Sequence, residues 1–398
     1  MRTRPFAAAL LIASHTLTPA ALAQAERAGC PQTLNPLVIQ VEFPDVPRRI
    51  DSGFVRRNFL EAPDRYLREM SYGKVCISGK LTPRWYRLPA SVDAYFVPWQ
   101  NLKVDKGKLR RLVTDTLSAV ERDIDVTQHD FVMVVLAATA REWGNQGLNT
   151  YPGLLGWADD RALLTPSGRK MKGGMAVYAQ TANLGKVVHN VAHVLGGVRD
   201  GRRVLPDMYD QSLASASAEK AGPAARAAYI RSQIHMGAWD PMSCNMCLQR
   251  PGIPGFSAWT RLRLGWIEDH KVRTIAPGER TEVRLDPLAS PEGTTLAIRN
   301  PLTATTSYLI ENRQPVGQDR HAPAAGILIM LADDSIPEPR FGRAPVRLIN
   351  ANPTDPTLNA AAFDLSGQAT FTDAVHRVEV RLVRKEGRVY VIAVARGT

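Results

Sequence analysis

Residues 106 to 138 set the first constraint on the fold. In KGKLRRLVTDTLSAVERDI, Leu109, Leu112, Val113, Leu117 and Val120 fall at spacings of three and four, an amphipathic helix pattern, and the chain then enters the apolar strand FVMVVLAA. Upstream, PLVIQVEF (36 to 43) reads as a buried strand ended by FPD, and residues 54 to 70 carry helical periodicity through Phe54, Phe59, Tyr66 and Met70. KVCISGKL and RWYRLP read as strands. Strand, helix, strand, helix, strand in this order argues for an α/β or α+β layer.

The stretch from Trp143 to Gly174 has no strong period, and a loop of that length is uncommon unless it serves a site or hides short strands. GGMAVYAQ reads as one more strand, expected at a sheet edge near the site. Residues 211 to 228, rich in Ala and Ser, read as a surface insertion. From about residue 270 the texture changes: TEVRLDPL, TTLAIRN, TSYLIENRQ, AGILIMLAD, HRVEVRLVRK and RVYVIAV are short strand-like runs separated by Gly, Pro and Asp. Such spacing predicts an antiparallel sandwich. The expected class is therefore α+β, with a first domain over 24–269 and a β-rich, sandwich-like domain over 270–398.

Arg2 and Arg4 precede the apolar FAAALLIAS, and ALAQA supplies small residues for cleavage after Ala23 or Ala25. This predicts a secretory signal over 1–23 and a secreted or periplasmic chain. The longest later apolar run, FVMVVLAATA, is far short of the roughly 20 residues a spanning helix needs. Net charge is +12, or +10 without Arg2 and Arg4, and is spread along the chain. No basic stripe interleaved with aromatics is visible, which argues against nucleic acid as a partner. Cys30, Cys76, Cys244 and Cys247 form an even set, as expected of disulfides in an exported protein. Cys30 with Cys76 is the preferred long-range bridge; Cys244 and Cys247 suit a tight loop better than half a zinc site, because no second CxxC exists.

Within VVHNVAHVLG, His189 and His193 stand four apart in a helix-compatible run that Gly196 and Gly197 stop. Positions i and i+4 share one side of a helix, so both rings can face one ion. Catalytic zinc commonly takes three protein ligands, and beyond the glycines the candidates for the third are Asp200, Asp207 and Asp210. His129, His235, His270, His321 and His376 are scattered singly; of these only His235 lies close before GAWDPMS. No GxSxG, Walker-type loop or dinucleotide fingerprint is present.

HVLG, LPDMYD (205 to 210), GAWDPMS (237 to 243) and FSAWTRLRLGWI (256 to 267) follow one another in this order. In this order the chain resembles secreted zinc metalloproteases of the immune inhibitor A type, with gametolysin-like metalloproteases as the neighbouring alternative. YLREMSYGKVCISGKLTPRWYRLP and TSYLIENRQPVGQDRHAPAAGILIMLADD extend the likeness from about residue 36 to 335. The resemblance implies a zincin-like first domain, zinc held by His189, His193 and Asp207, and Met242 in a methionine turn beneath the metal. The chain departs from the family pattern in that GVRDGRRV separates the glycine turn from LPD, which leaves Asp200 as reserve ligand.

A second departure concerns chemistry. The family's H-E-x-x-H glutamate is replaced by Asn190, whose amide cannot accept a proton near neutrality. General acid/base assistance is worth on the order of 10² to 10⁴ in rate. The leading expectation is thus an exported zinc-binding protein, catalytically impaired, that holds a peptide or protein. The alternatives are an active peptidase that recruits another carboxylate, with Glu142 and Asp200 as candidates, and a metal-free adhesion or matrix-binding protein.

Overall fold

The computed structural model describes residues 30–97, 105–144, 149–151, 163–210, 235–244 and 252–398. The expected signal, the Ala/Ser-rich insertion and Cys247 lie outside them.

The chain opens with β1 (Gln32–Leu34) and β2 (Leu37–Glu42), followed by α1 (Ser52–Arg56) and α2 (Ala62–Met70) joined through a π turn over Arg57–Glu61. Pro63 explains the turn: it has no N–H to give, and its ring conflicts with the carbonyl four residues back, so the helical ladder widens just before it. Next come β3 (Val75–Ile77), β4 (Lys80–Leu81), β5 (Tyr86–Arg87), α3 (Lys106–Val120), β6 (Val132–Leu136), α4 (Ala140–Trp143), β7 (Asn149–Tyr151), β8 (Met175–Ala179) and α5 (Leu184–Gly196). KVCISGKL is therefore two short strands rather than one.

The main sheet has the order β4-β2-β6-β8-β7, with β5 also pairing β2. β2, β6 and β8 are parallel, in register through Gln40, Val135 and Tyr178. Every residue of β6 is buried, as a parallel strand covered by helices on both faces requires. One face packs Ile39, Val134 and Val177 with Leu112, Val113 and Leu117 of α3. The other packs Val38, Met133, Val135 and Tyr178 with Tyr66, Leu67, Val188 and Val191 from α2 and α5. GGMAVYAQ does not form the edge, because β7 lies antiparallel outside β8. That strand is drawn from the stretch without a period; three residues pairing along an edge leave too short a pattern to read.

A hairpin of β9 (Val198–Arg199) and β10 (Arg202–Arg203) follows α5, and then α6 (Pro241–Cys244) and α7 (Ala258–Arg263). The C-terminal region is antiparallel β. It comprises β11 (Val272–Thr274), β12 (Arg280–Leu285), β13 (Ala297–Pro301), β14 (Thr306–Arg313), β15 (Gly326–Asp333), β16 (Val346–Leu348), β17 (Thr370–Asp373), β18 (Val378–Glu386) and β19 (Val389–Arg396). They form a five-stranded sheet, β11-β13-β14-β15-β16, and a four-stranded sheet, β12-β19-β18-β17. Only β11 with β13 is parallel.

Ile298, Ile310 and Ile329 from the first sheet meet Val283, Val380, Ile392 and Val394 from the second, a sheet-on-sheet core. The opposite face of the five-stranded sheet, through Leu309, Leu328 and Met330, shares a core with Val188, Val191, Trp239, Met242 and Trp259. The helix carrying the histidines is thus packed into the same apolar mass as β14 and β15. On that same face Arg313, fully buried, donates to Glu311 at 3.1 Å and to Asp319 at 2.6 Å. The ion pairs repay their desolvation only because backbone groups join them: Gly255 O accepts from Arg313 and Gly255 N donates to Asp319.

Candidate metal centre

Helix α5 starts at Asn183, whose side chain accepts the N–H of Lys186 at 3.1 Å. It ends at Gly197, where φ is +60 and the N–H donates to His193 O. Four residues apart, His189 and His193 stand edge to face with ring centroids 4.7 Å apart. Both are buried.

The segment GVRDGRRV, which separates the glycine turn from LPD, is the β9–β10 hairpin. Its central residues Asp200 and Gly201 have φ of +50 and +70, the double positive that a type I′ turn requires and that Asp-Gly satisfies. The hairpin folds back on the helix end, with Val204 N donating to Gly197 O at 3.1 Å. A Cβ on Gly196 would meet Leu205 N at 3.1 Å, so the glycine permits this close return. The chain therefore reaches Asp207 beside the histidines despite the added length.

His189 Nε2 lies 2.9 Å from Asp207 Oδ1, His193 Nε2 lies 3.0 Å from the same oxygen, and the two Nε2 atoms are 3.1 Å apart. The three side chains form a group able to hold a metal ion. Their tautomers follow from the far side of each ring. His189 Nδ1 faces Pro241 O at 3.0 Å and His193 Nδ1 faces Leu205 O at 2.8 Å. A carbonyl oxygen only accepts, so each Nδ1 carries the hydrogen and a neutral ring turns its Nε2 lone pair inward.

Burial, followed by the Arg203 charge, pushes His193 down to about 4, which keeps this ring neutral. Burial alone would raise Asp207, but the two imidazoles at its oxygen outweigh that and hold the carboxyl well below the usual range. With both rings neutral, two lone pairs and an anionic oxygen converge within hydrogen-bond distance. One proton can bridge two of them; a divalent cation satisfies all three.

The walls are specific. Tyr209 stacks along His189 with centroids 6.1 Å apart. Arg203 Nη1 is 3.3 Å from both ring nitrogens of His193. An in-plane bond to one nitrogen would leave the other well out of reach, so the guanidinium lies over the ring face. Met242 is buried, its N–H donates to Asp240 at 2.8 Å, and its carbonyl accepts from Met208. That bond ties the turn at Met242 to LPDMYD.

Asn190 is buried, and its amide donates to the Tyr178 hydroxyl at 2.9 Å. The other acidic candidates stand elsewhere. Asp200, the reserve ligand, is exposed at the hairpin tip and outside the metal-holding group, because the turn consumes it. Asp210 is buried and accepts from Gly342 N. Glu142 completes a capping box with Thr139 and pairs with Arg49 at 2.8 Å. His235 is pushed down by burial and is not in the group.

Cys30 and Cys76 are free thiols in this structure, so the expected bridge is not formed here. They are nonetheless neighbours: burial, then the hydrogen bond that its thiol donates to Cys76, raises Cys30 to about 11. Cys244 closes α6. Arg203 was not among the sequence candidates; the Asp-Gly pair two residues before it is the signal that could have pointed to it.

No protein-family model matches the sequence, and no curated protein matches it either. Among solved structures, a crystal structure of metalloproteinase-II from Bacteroides fragilis is similar at 10% identity and a TM-score of 0.24. The likeness covers 42% of this chain and 43% of that one, less than half of its length.

Proposed function

We propose that the chain is an exported zinc-binding protein of the zincin metallopeptidase type, related to the immune inhibitor A enzymes, in which the site has become a receptor for a peptide. The observation that carries this reading is the convergence of His189 Nε2, His193 Nε2 and Asp207 Oδ1 within 3.1 Å of one another. Two imidazoles and a carboxylate are a donor set that suits zinc, and three protein ligands leave a position open. Zinc bound there would supply Lewis acidity and make a coordinated water more acidic.

The chain's own residues do the rest. Pro241 O and Leu205 O fix the rings in the ligating tautomer. Asn190 holds no proton-accepting group, and its amide is committed to Tyr178. A carboxylate able to shuttle the proton is missing from the position next to His189. Binding without efficient turnover follows. The export reading rests on the N-terminal residues, and the zincin reading on the ordered motifs together with the His-His-Asp cluster.

The test has two stages. Chelator-stripped protein should take up one equivalent of Zn2+ by elemental analysis, and His189→Ala should abolish it. The wild-type protein should then cleave an unstructured substrate no faster than background, while Asn190→Glu gains zinc-dependent cleavage. Zinc uptake well below one equivalent, or brisk wild-type cleavage lost in His189→Ala, would overturn the reading.

A further inference from the structure

From Arg203 we infer what the site binds: a carboxylate, taken by the metal and the guanidinium together. The inference rests on the proposed metal reading and extends it to the ligand. Arg203 is delivered by the β9–β10 hairpin to the face of His193, with Nη1 3.3 Å from the nitrogen that faces Asp207 Oδ1. A guanidinium carries five donors in a planar fork. Among the described residues none of them reaches an oxygen: Nη1 meets only the ring nitrogens of His193, and Nε is buried without a partner.

Charge makes the same demand. A divalent cation and Arg203 together bring three positive charges, and Asp207 returns one negative. Glu338 is the other carboxylate in the field of Arg203, and it is already paired with Arg340 at 3.0 Å. An anion that touches both cations relieves their repulsion, and a carboxylate can do so because it has two oxygens. One oxygen can take the metal's open position while the other accepts from the fork of Arg203. A neutral amide carbonyl at the same place offers one oxygen and no charge. Tyr209 stacks on His189 beside this position.

Two sources supply this chemistry, the free C-terminus of a peptide and an internal Asp or Glu side chain. The experiment separates them. Zinc-loaded full-length protein is titrated with three dye-labelled tetrapeptides of neutral residues: one with a free C-terminus, one amidated, and one amidated but carrying an internal glutamate. Fluorescence anisotropy reads binding, and zinc content is measured on the same samples.

At least tenfold tighter binding of the free acid or of the glutamate peptide over the neutral amide is expected, and whichever binds more tightly identifies the source. Arg203→Gln should remove that preference while keeping one equivalent of zinc, and Arg203→Lys should restore part of it. Zinc at one equivalent with equal affinity for all three peptides overturns this inference and leaves the metal reading standing. Failure to bind zinc overturns both. The comparison among peptides uses wild-type protein alone, so equal affinities overturn the inference even if an Arg203 variant folds poorly.

Discussion

The carboxylate of Glu311, on β14 in the C-terminal sheets, accepts the backbone N–H of Ala258 at the first turn of α7. The preceding residue, Ser257, donates its N–H and hydroxyl to Asp240 Oδ2 at 2.8 and 2.6 Å. Asp240 in turn accepts the N–H of Met242, and Pro241 between them presents the carbonyl that orients His189. A continuous polar path thus runs from the β sandwich to the His189 ring. Removing Asp240 leaves the Ser257 and Thr260 donors buried and unpaired. Asp240→Ala is expected to cost about 3 to 5 kcal/mol in urea unfolding and to weaken zinc binding about 10- to 100-fold. Unchanged zinc affinity in a folded variant would mean that the path is structural only.

Asn190 acts as a strut between α5 and β8. Its bond to the buried Tyr178 hydroxyl is worth about 1 to 2 kcal/mol when one partner is deleted. Asn190→Ala should lower stability by that amount, measured by denaturant titration, and leave zinc affinity within about threefold of wild type. A large loss of zinc would assign the amide a role at the metal.

Lys186, in the first turn of α5, is buried with no partner for its ammonium among the described residues, and burial brings it down to about 8. An unfolded lysine titrates near 10.4. Below pH 8 both states hold the proton and the folded state carries the full cost. Between pH 8 and about 10.4 the unfolded chain keeps a proton that the folded chain has released, so this group makes stability rise with pH. Lys186→Met should therefore stabilise the protein at pH 7 by on the order of 3 kcal/mol, an advantage that shrinks across that window. Because Tyr66 and Tyr178 are raised by burial and act in the opposite sense, the quantity to follow is the difference between variant and wild type, by thermal melts from pH 6 to 10.

The parts of this molecule that were legible in the sequence are those whose signal is local. The apolar spacing of α3 and the unbroken β6 declare a helix and a fully buried strand, and His189 with His193 declare a shared helix side. β7 was not legible, because three edge residues pair with β8 through backbone atoms that any side chain provides. The acidic member of the His-His-Asp group was ambiguous for a related reason. Asp200, Asp207 and Asp210 stand close together in sequence, and only the hairpin decides among them, by using Asp200 in its turn and bringing the chain back at Leu205. Arg203 was overlooked because a cation is not sought among metal ligands, although Asp-Gly flanked by short extended segments is a hairpin signal.

The thiols of Cys30 and Cys76 are hydrogen-bonded neighbours, with Thr33 Oγ1 also 3.4 Å from Cys76 Sγ and Arg68 3.2 Å from Cys30 Sγ. In an oxidising compartment they are positioned to pair, which would tie the N-terminal segment to β3. Protein purified under oxidising conditions is expected to lack reactive thiol at both positions by mass spectrometry after alkylation. Its reduction, or Cys76→Ser, should cost about 2 to 4 kcal/mol in unfolding free energy. Full alkylation of Cys30 without reductant would show that the pair stays reduced.

The placement of Asp207 rather than Asp200 beside the imidazoles makes the last prediction quantitative. Asp207 shares one oxygen with both imidazoles, whereas Asp200 sits at an exposed turn where its side chain is replaceable. Losing a ligand should weaken binding more than the roughly 10- to 100-fold seen when groups supporting ligands are removed. Asp207→Ala is therefore expected to lower zinc affinity by at least about 100-fold in competition with a chromophoric chelator, and Asp200→Ala by less than about threefold. Asp200→Asn is the control for the turn, since Asn-Gly also supports two positive φ angles and should leave both stability and zinc binding unchanged. The reverse order, with zinc lost in Asp200→Ala and retained in Asp207→Ala, would mean that the hairpin opens when metal binds and that the tip carboxylate takes the third position.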